Sequence, residues 1–179
     1  VTVFGHSNIS ARLDSLTIDS YGYRRNSKAL GMIWEQTTLP KRATDREIDV
    51  LYSPVAYCPL VPTPFPCAIT IHDVSSLSGH SAGWYNRFER IMLPQMASRA
   101  DLIFTVSEFS KSKICSKLNI PESKVQVVYN GVNELFFSED TPTTNLNLPG
   151  SYFLYVGALS TRKNISGLLE AFRILHEDY

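Results

Sequence analysis

Short apolar runs alternate with amphipathic stretches along most of the chain, and their periods separate strands from helices. Residues 1–4 form a β-type run that lands on Gly5, whereas residues 5–28 are polar and turn-rich and carry no clear period. Residues 29–34 suit either a strand or a short helix. From residue 49 the pattern becomes regular. Runs at 49–53, 67–71, 101–106 and 125–129 have the length and composition of buried strands. Pro54, Pro59, Pro62, Pro64 and Pro66 mark an extended loop between the first two, because proline lacks an amide donor and biases its predecessor away from helix. Trp84, Phe88, Ile91 and Met92 fall at i, i+4, i+7 and i+8, which predicts a helix over 84–98 with a core-facing stripe and a bend at Pro94. Ser107 is placed to cap a second helix that runs to about residue 118, its hydroxyl accepting from the first-turn amides.

The stretch 138–150, with Pro142, Pro149 and Gly150, reads as a linker after a first domain over 1–137. Residues 75–83 read as a mobile Ser/Gly segment. Beyond the linker, 152–156 predicts a strand, 157–163 a loop and 165–176 an amphipathic helix with Ile165, Leu168, Leu169 and Phe172 on one face. Strand, loop and helix alternate with no hairpin dipeptide between strands, so the expected class is α/β, a mostly parallel sheet flanked by helices. Residues 151–179 fall below the roughly 40 residues at which a chain supports its own core. They are expected to be the opening βα unit of a second, truncated domain.

Composition narrows the functional classes. Of 179 residues, 44% are hydrophobic and 19% charged, which suits a globular core rather than a disordered chain. Lys+Arg and Asp+Glu both number 17, so bulk charge gives no reason to expect nucleic acid as a partner. No run approaches the roughly 20 apolar residues of a membrane-spanning helix. Cys58, Cys67 and Cys115 have no CxxC spacing and read as free thiols of an intracellular protein.

Three places carry candidate chemistry. Gly157, Arg162, Lys163 and Asn164 lie between a predicted strand and helix, where open α/β sheets bind ligands. Two cations before a helix start, with its unpaired amides and positive dipole end, suit a phosphate or diphosphate; Gly157 admits close backbone approach and Asn164 is a candidate cap. The competing reading is a solvated basic turn. His72-Asp73 ends a predicted buried strand, where the imidazole can move a proton or bind a polar substrate and the carboxylate can hold it. The competing reading is a histidine satisfied by loop carbonyls. Arg87 and Arg90 flank the stripe of helix 84–98, which fits an anionic membrane surface or, as the commoner outcome, an ordinary core-facing helix. His6, His80 and His176 form no metal-ligand pattern. There is no GxSxG elbow and no P-loop glycine pattern before Lys163.

The order of segments is more specific than any one of them: TIHDVSSL at 70–77, RADLIFTVSEFSK at 99–111, KVQVVYNGV at 124–132 and YVGALSTRKNISGLLEAF at 155–172. From about residue 49 onward this resembles the retaining, nucleotide-sugar-dependent glycosyltransferases of family 4, which place two Rossmann-like domains across a cleft (the GT-B fold). The resemblance implies that Arg162 and Lys163 hold the donor diphosphate, with Gly157 opening that loop. It implies that His72 is the catalytic-side histidine beside the transferred sugar, and that Asn130-Gly131 ends the first domain. It further implies a nucleoside-diphosphate sugar as donor, with mannose or another hexose transferred, and a carbohydrate or lipid-linked hydroxyl acceptor. No cofactor or metal is implied. A cytoplasmic location follows from the same likeness, with peripheral membrane contact as a further expectation. The acceptor pocket is expected at 54–67 and 75–83, on loop position. Family members carry a strand and glycine-rich loop before the point where this sequence opens, and a paired-glutamate motif after the point where it closes. The 179 residues are therefore expected to be a central fragment, inactive alone. The alternative is a non-catalytic binding domain of the same fold.

Overall fold

A computed structural model describes residues 2–6, 17–21, 28–78, 84–137 and 149–178. Residues 79–83 of the expected Ser/Gly segment (75–83) and 138–148 of the expected linker (138–150) lie outside the described residues. The chain divides into two compact units, Val1–Val132 and Asn133–Tyr179.

In the first unit, β3 (Leu51–Ser53), β4 (Cys67–Thr70), β5 (Leu102–Thr105) and β6 (Val125–Val127) form one parallel sheet in that order. The pairing registers Leu51 with Cys67, Ile69 with Ile103, and Thr105 with Val127. Each strand is a little shorter than the apolar run that predicted it. Flanking bonds continue the ladder: Asp101 N–H to Cys67 O at 2.8 Å, Ile71 N–H to Phe104 O at 2.9 Å and Val128 N–H to Thr105 O at 2.8 Å. The Asp101 carboxylate accepts from the Cys67 amide at 2.8 Å, so one side chain fixes where β4 starts. All four residues of β4 are buried, as a central parallel strand requires.

Helices cover the sheet. α1 (Lys28–Asp45) settles the ambiguity at 29–34 in favour of an 18-residue helix that runs through Pro40. Its Gln36 pins the proline-rich loop, donating to Cys58 O at 3.2 Å and accepting from the Leu60 amide at 2.9 Å. α2 (Trp84–Arg99) continues through Pro94 and buries Leu93, Met96, Ala97 and Ala100, the last just past its end. This corrects the expected stripe: Met92 packs at the margin of the core, but Ile91 is exposed. Ala97 and Ala100, both fully buried, belong to the face that α2 turns to the core. The side chains of Trp84, Arg87 and Phe88 lie outside the described residues.

α3 (Glu108–Leu118) starts as expected. Ser107 is extended, φ −161° and ψ 157°, and its hydroxyl accepts from the Ser110 amide at 3.1 Å. Asn119 closes the helix in the left-handed region at φ 55°, a conformation asparagine tolerates. Ile69, Ile71, Ile103, Ile114 and Val125 join the α2 residues in one apolar core. Cys58 and Cys67 are free thiols inside it, and Cys115 is free at its margin.

A second, two-stranded parallel sheet pairs β1 (Thr2–His6) with β2 (Thr17–Tyr21), the latter within the stretch where the sequence carried no clear period. A groove of about 790 Å³ is lined by residues of both β1 and β3, with Trp34, Glu35 and Tyr57 beside them.

In the second unit the expected strand at 152–156 is not a strand. The segment makes no ladder among the described residues, and Phe153, Leu154 and Val156 are exposed at 78%, 76% and 84%. A strand exists through the hydrogen bonds of its neighbours, and the described part of this unit provides none. α4 (Ile165–Asp178) does form where its period predicts, and Phe172 meets Phe153 edge-on at 5.6 Å between ring centroids.

Candidate functional site

His72 follows β4 at the carboxyl edge of the sheet, where the strands hand over to loops. Three contacts fix it. Thr105, buried at the end of β5, donates to Ile71 O at 2.8 Å, and Ser110 donates to His72 O at 3.1 Å. The exposed ring places Nε2 3.2 Å from Pro54 O, at the end of β3. A carbonyl oxygen only accepts, so Nε2 is the donor in this contact. Histidine backbone and imidazole are thus tied to β3, β5 and α3 together.

The sequence suggested that Asp73 holds the ring. The structure instead shows its Oδ1 accepting from the Ser75 amide at 2.8 Å, which starts a 3₁₀ turn over Ser75–Ser78. The loop-carbonyl contact foreseen as the competing reading is present, but at an exposed imidazole rather than a buried one. Thr105 and Ser110 were not singled out from sequence. The signal for Ser110 lies in the spacing Ser107-x-x-Ser110: the first hydroxyl caps α3 and also donates to the second at 3.1 Å, which orients Ser110 toward His72 O. Beside this point Asp73, Ser75, Phe109, Ser110 and Lys113 line a concavity of about 260 Å³.

The basic turn belongs to the second unit. Ser160 is extended, Thr161–Lys163 form a 3₁₀ turn, and Asn164 takes φ 49° and ψ 46° directly before α4. Its carbonyl accepts from the Leu168 amide at 3.1 Å, the first bond of the helix. Its side chain lies over Gly167; a Cβ there would come within 2.5 Å of Nδ2. Lys163 is exposed, and the Arg162 side chain lies outside the described residues. Gly157 sits beneath Tyr155, where a Cβ would stand 2.6 Å from the phenol oxygen. That phenol donates to Ala158 O at 3.2 Å and closes the start of the loop. Gly157 and Lys163 therefore lie on one short loop–turn segment ahead of a 14-residue helix.

Among the described residues no group of three or more His, Cys, Asp or Glu is placed to hold a metal ion, and no helix is long and apolar enough to cross a membrane.

A four-stranded parallel sheet flanked by helices is a Rossmann-like α/β domain, and its carboxyl edge carries the tethered His72. Comparison with known proteins gives the family: residues 1–134 match Glycosyltransferase Family 4, and the chain belongs to it. It is 28% identical over 111 residues to the O-antigen chain mannosyltransferase RfbU of Salmonella typhimurium, covering 62% of this chain and 30% of that protein. It is 30% identical over 118 residues to the O-antigen chain mannosyltransferase B of Escherichia coli, covering 59% and 30%. An uncharacterized glycosyltransferase of Methanocaldococcus jannaschii is 35% identical over 78 residues, 38% of this chain and 20% of that protein. The chain thus spans less than a third of the length of these relatives.

Proposed function

We propose that the protein containing this chain transfers a hexose, mannose being the first candidate, from a nucleoside-diphosphate sugar to a hydroxyl acceptor with retention at the anomeric carbon. The bond from the anomeric carbon to the diphosphate breaks, a bond to the acceptor oxygen forms, and the hydroxyl proton leaves with the nucleoside diphosphate. Arg162 and Lys163 bind the diphosphate and stabilise the negative charge that grows on it as the bond breaks. Gly157 keeps the loop ahead of them close to the anion. His72 works on the acceptor side. Residues 1–179 alone turn over no donor in this reading, and no resident metal takes part.

The observation that carries it is His72, fixed at the carboxyl edge of the parallel sheet in a family 4 chain. The mannosyltransferase names of two relatives favour mannose as the sugar. The test is incubation of the full-length protein with isotope-labelled GDP-mannose and other sugar nucleotides, followed by product isolation and assignment of the anomeric configuration. A glycoside with the donor's configuration is expected. An inverted product removes the retaining mechanism. Absence of transfer from every sugar nucleotide favours the binding-domain alternative.

A further inference from the structure

Just past β4 the chain passes from ladder bonds to hydroxyl bonds. The Ile71 amide still makes a rung of the sheet, donating to Phe104 O at 2.9 Å. The next two carbonyls, those of Ile71 and His72, accept from side chains: Thr105 Oγ1 at 2.8 Å and Ser110 Oγ at 3.1 Å. These carbonyls belong to the two peptide units on either side of the His72 Cα. A peptide unit is planar, so anchoring both restricts the φ and ψ of His72 and sets the direction in which its Cβ leaves the chain. The ring is anchored separately, with Nε2 3.2 Å from Pro54 O.

Thr105 and Ser110 are buried, whereas the residue they hold is exposed. A buried hydroxyl takes a partner, and in this chain the local one is four residues back on the same helix: Thr37 bonds Ile33 O at 2.7 Å and Thr44 bonds Pro40 O at 2.9 Å. Thr105 and Ser110 reach across 34 and 38 residues of sequence, to adjacent carbonyls. Ser107 gives the second contact its sense. Its hydroxyl donates to Ser110 Oγ at 3.1 Å, Ser110 donates onward, and a carbonyl only accepts, so the relay runs one way from the α3 cap to His72. These bonds bury no imidazole; they set where it stands at the sheet edge. We propose that Thr105 and Ser110 are positioning residues for the transfer reaction, acting through the peptide planes that flank His72. The proposal rests on the glycosyl transfer argued above, with His72 on the acceptor side, and adds the residues that keep that histidine in place. Each hydroxyl gives its one hydrogen to a carbonyl, so neither serves as a proton donor to substrate.

The test uses the full-length protein with Thr105→Val and Ser110→Ala, which delete the hydroxyls, and Thr105→Ser, which keeps one. Circular dichroism checks the fold. Ser110→Ala, in the first turn of α3, carries the test alone if the core variant does not fold. Transfer is measured from GDP-mannose or whichever sugar nucleotide the parent turns over. Each deletion is expected to lower kcat by about ten- to a hundredfold, as misplacement of a reacting group does, and to leave the donor KM unchanged. Thr105→Ser is expected to keep most of the rate. The second readout is the imidazole itself, in proton–carbon correlation spectra of protein with labelled histidine, the His72 signal being assigned by its loss in His72→Gln. Both deletions are expected to shift that signal and leave the other histidine signals in place. A rate equal to the parent's in either deletion overturns the role of that hydroxyl, as does equal loss in Thr105→Ser and Thr105→Val for Thr105. An unmoved His72 signal beside a lowered rate overturns the proposal, because the loss then does not pass through the histidine. Absence of transfer by the parent sinks the glycosyl-transfer reading; a His72 signal that still moves keeps the positioning of the histidine standing apart from it, and an unmoved signal overturns both.

Discussion

Residues 67–70 and 152–156 are both short apolar runs with the composition of a buried strand, and the protein treats them in opposite ways. The first is β4, paired on both edges and buried at every position. The second pairs with nothing among the described residues and exposes most of its apolar surface, leaning through Phe153 on Phe172 of α4. The difference lies in the neighbours. A parallel strand needs partner strands for its amides and helices for its faces, and among the described residues only the first unit supplies them. α4 forms regardless, because a helix satisfies its backbone internally.

The largest consequence concerns hydrogen exchange. Amides of Ile69 and Ile103 should exchange at least about a thousandfold more slowly than those of Phe153 and Leu154, since core strands open only near global unfolding and unpaired segments exchange almost freely. Equal protection would show that 152–156 is paired after all. Next in size is the contrast between core truncations. Ile103→Ala should cost about 2–5 kcal/mol in chemical denaturation, because Ile103 is fully buried. Leu154→Ala should stay within about 0.5 kcal/mol.

The two helix-start serines sharpen the same contrast. Ser107→Ala removes a bond to the Ser110 amide and should cost about 0.5–2 kcal/mol. Ser160 precedes its turn without a side-chain capping bond, so Ser160→Ala should leave stability unchanged.

A smaller effect depends on pH. Burial raises the Glu35 carboxyl above its ordinary value. The folded state therefore holds that proton more tightly than the unfolded chain, and its stabilisation, complete below the unfolded value near 4.3, is lost as pH rises. Glu35→Gln should accordingly gain stability over the parent between pH 4 and pH 7 in denaturation midpoints. A constant difference across that range would remove burial as the cause.

How much of this was legible in the sequence follows from the same physics. The four parallel strands and α3 were readable, because period, length and the Ser107 cap agree with tertiary context. The length of α1 was not, since residues 29–34 are too few to show a helical period and Pro40 argues against continuation. The phase of α2 was misread at Ile91, because large apolar residues suggested one face while the face turned to the core includes Ala97 and Ala100. At the candidate site, His72 and Lys163 were visible as residue types at strand ends and helix starts. The contacts that fix His72, from Pro54, Thr105 and Ser110, depend on strand order and register, which no local pattern encodes.

The most direct measurement is donor binding and sugar transfer by the full-length protein with Lys163→Ala. The exposed side chain should leave thermal stability unchanged, while losing one charge-assisted hydrogen bond should lower donor affinity or transfer by about 1.5–3 kcal/mol, some ten- to a hundredfold. Donor affinity and rate both equal to the parent's would contradict the assignment of the basic turn to the diphosphate.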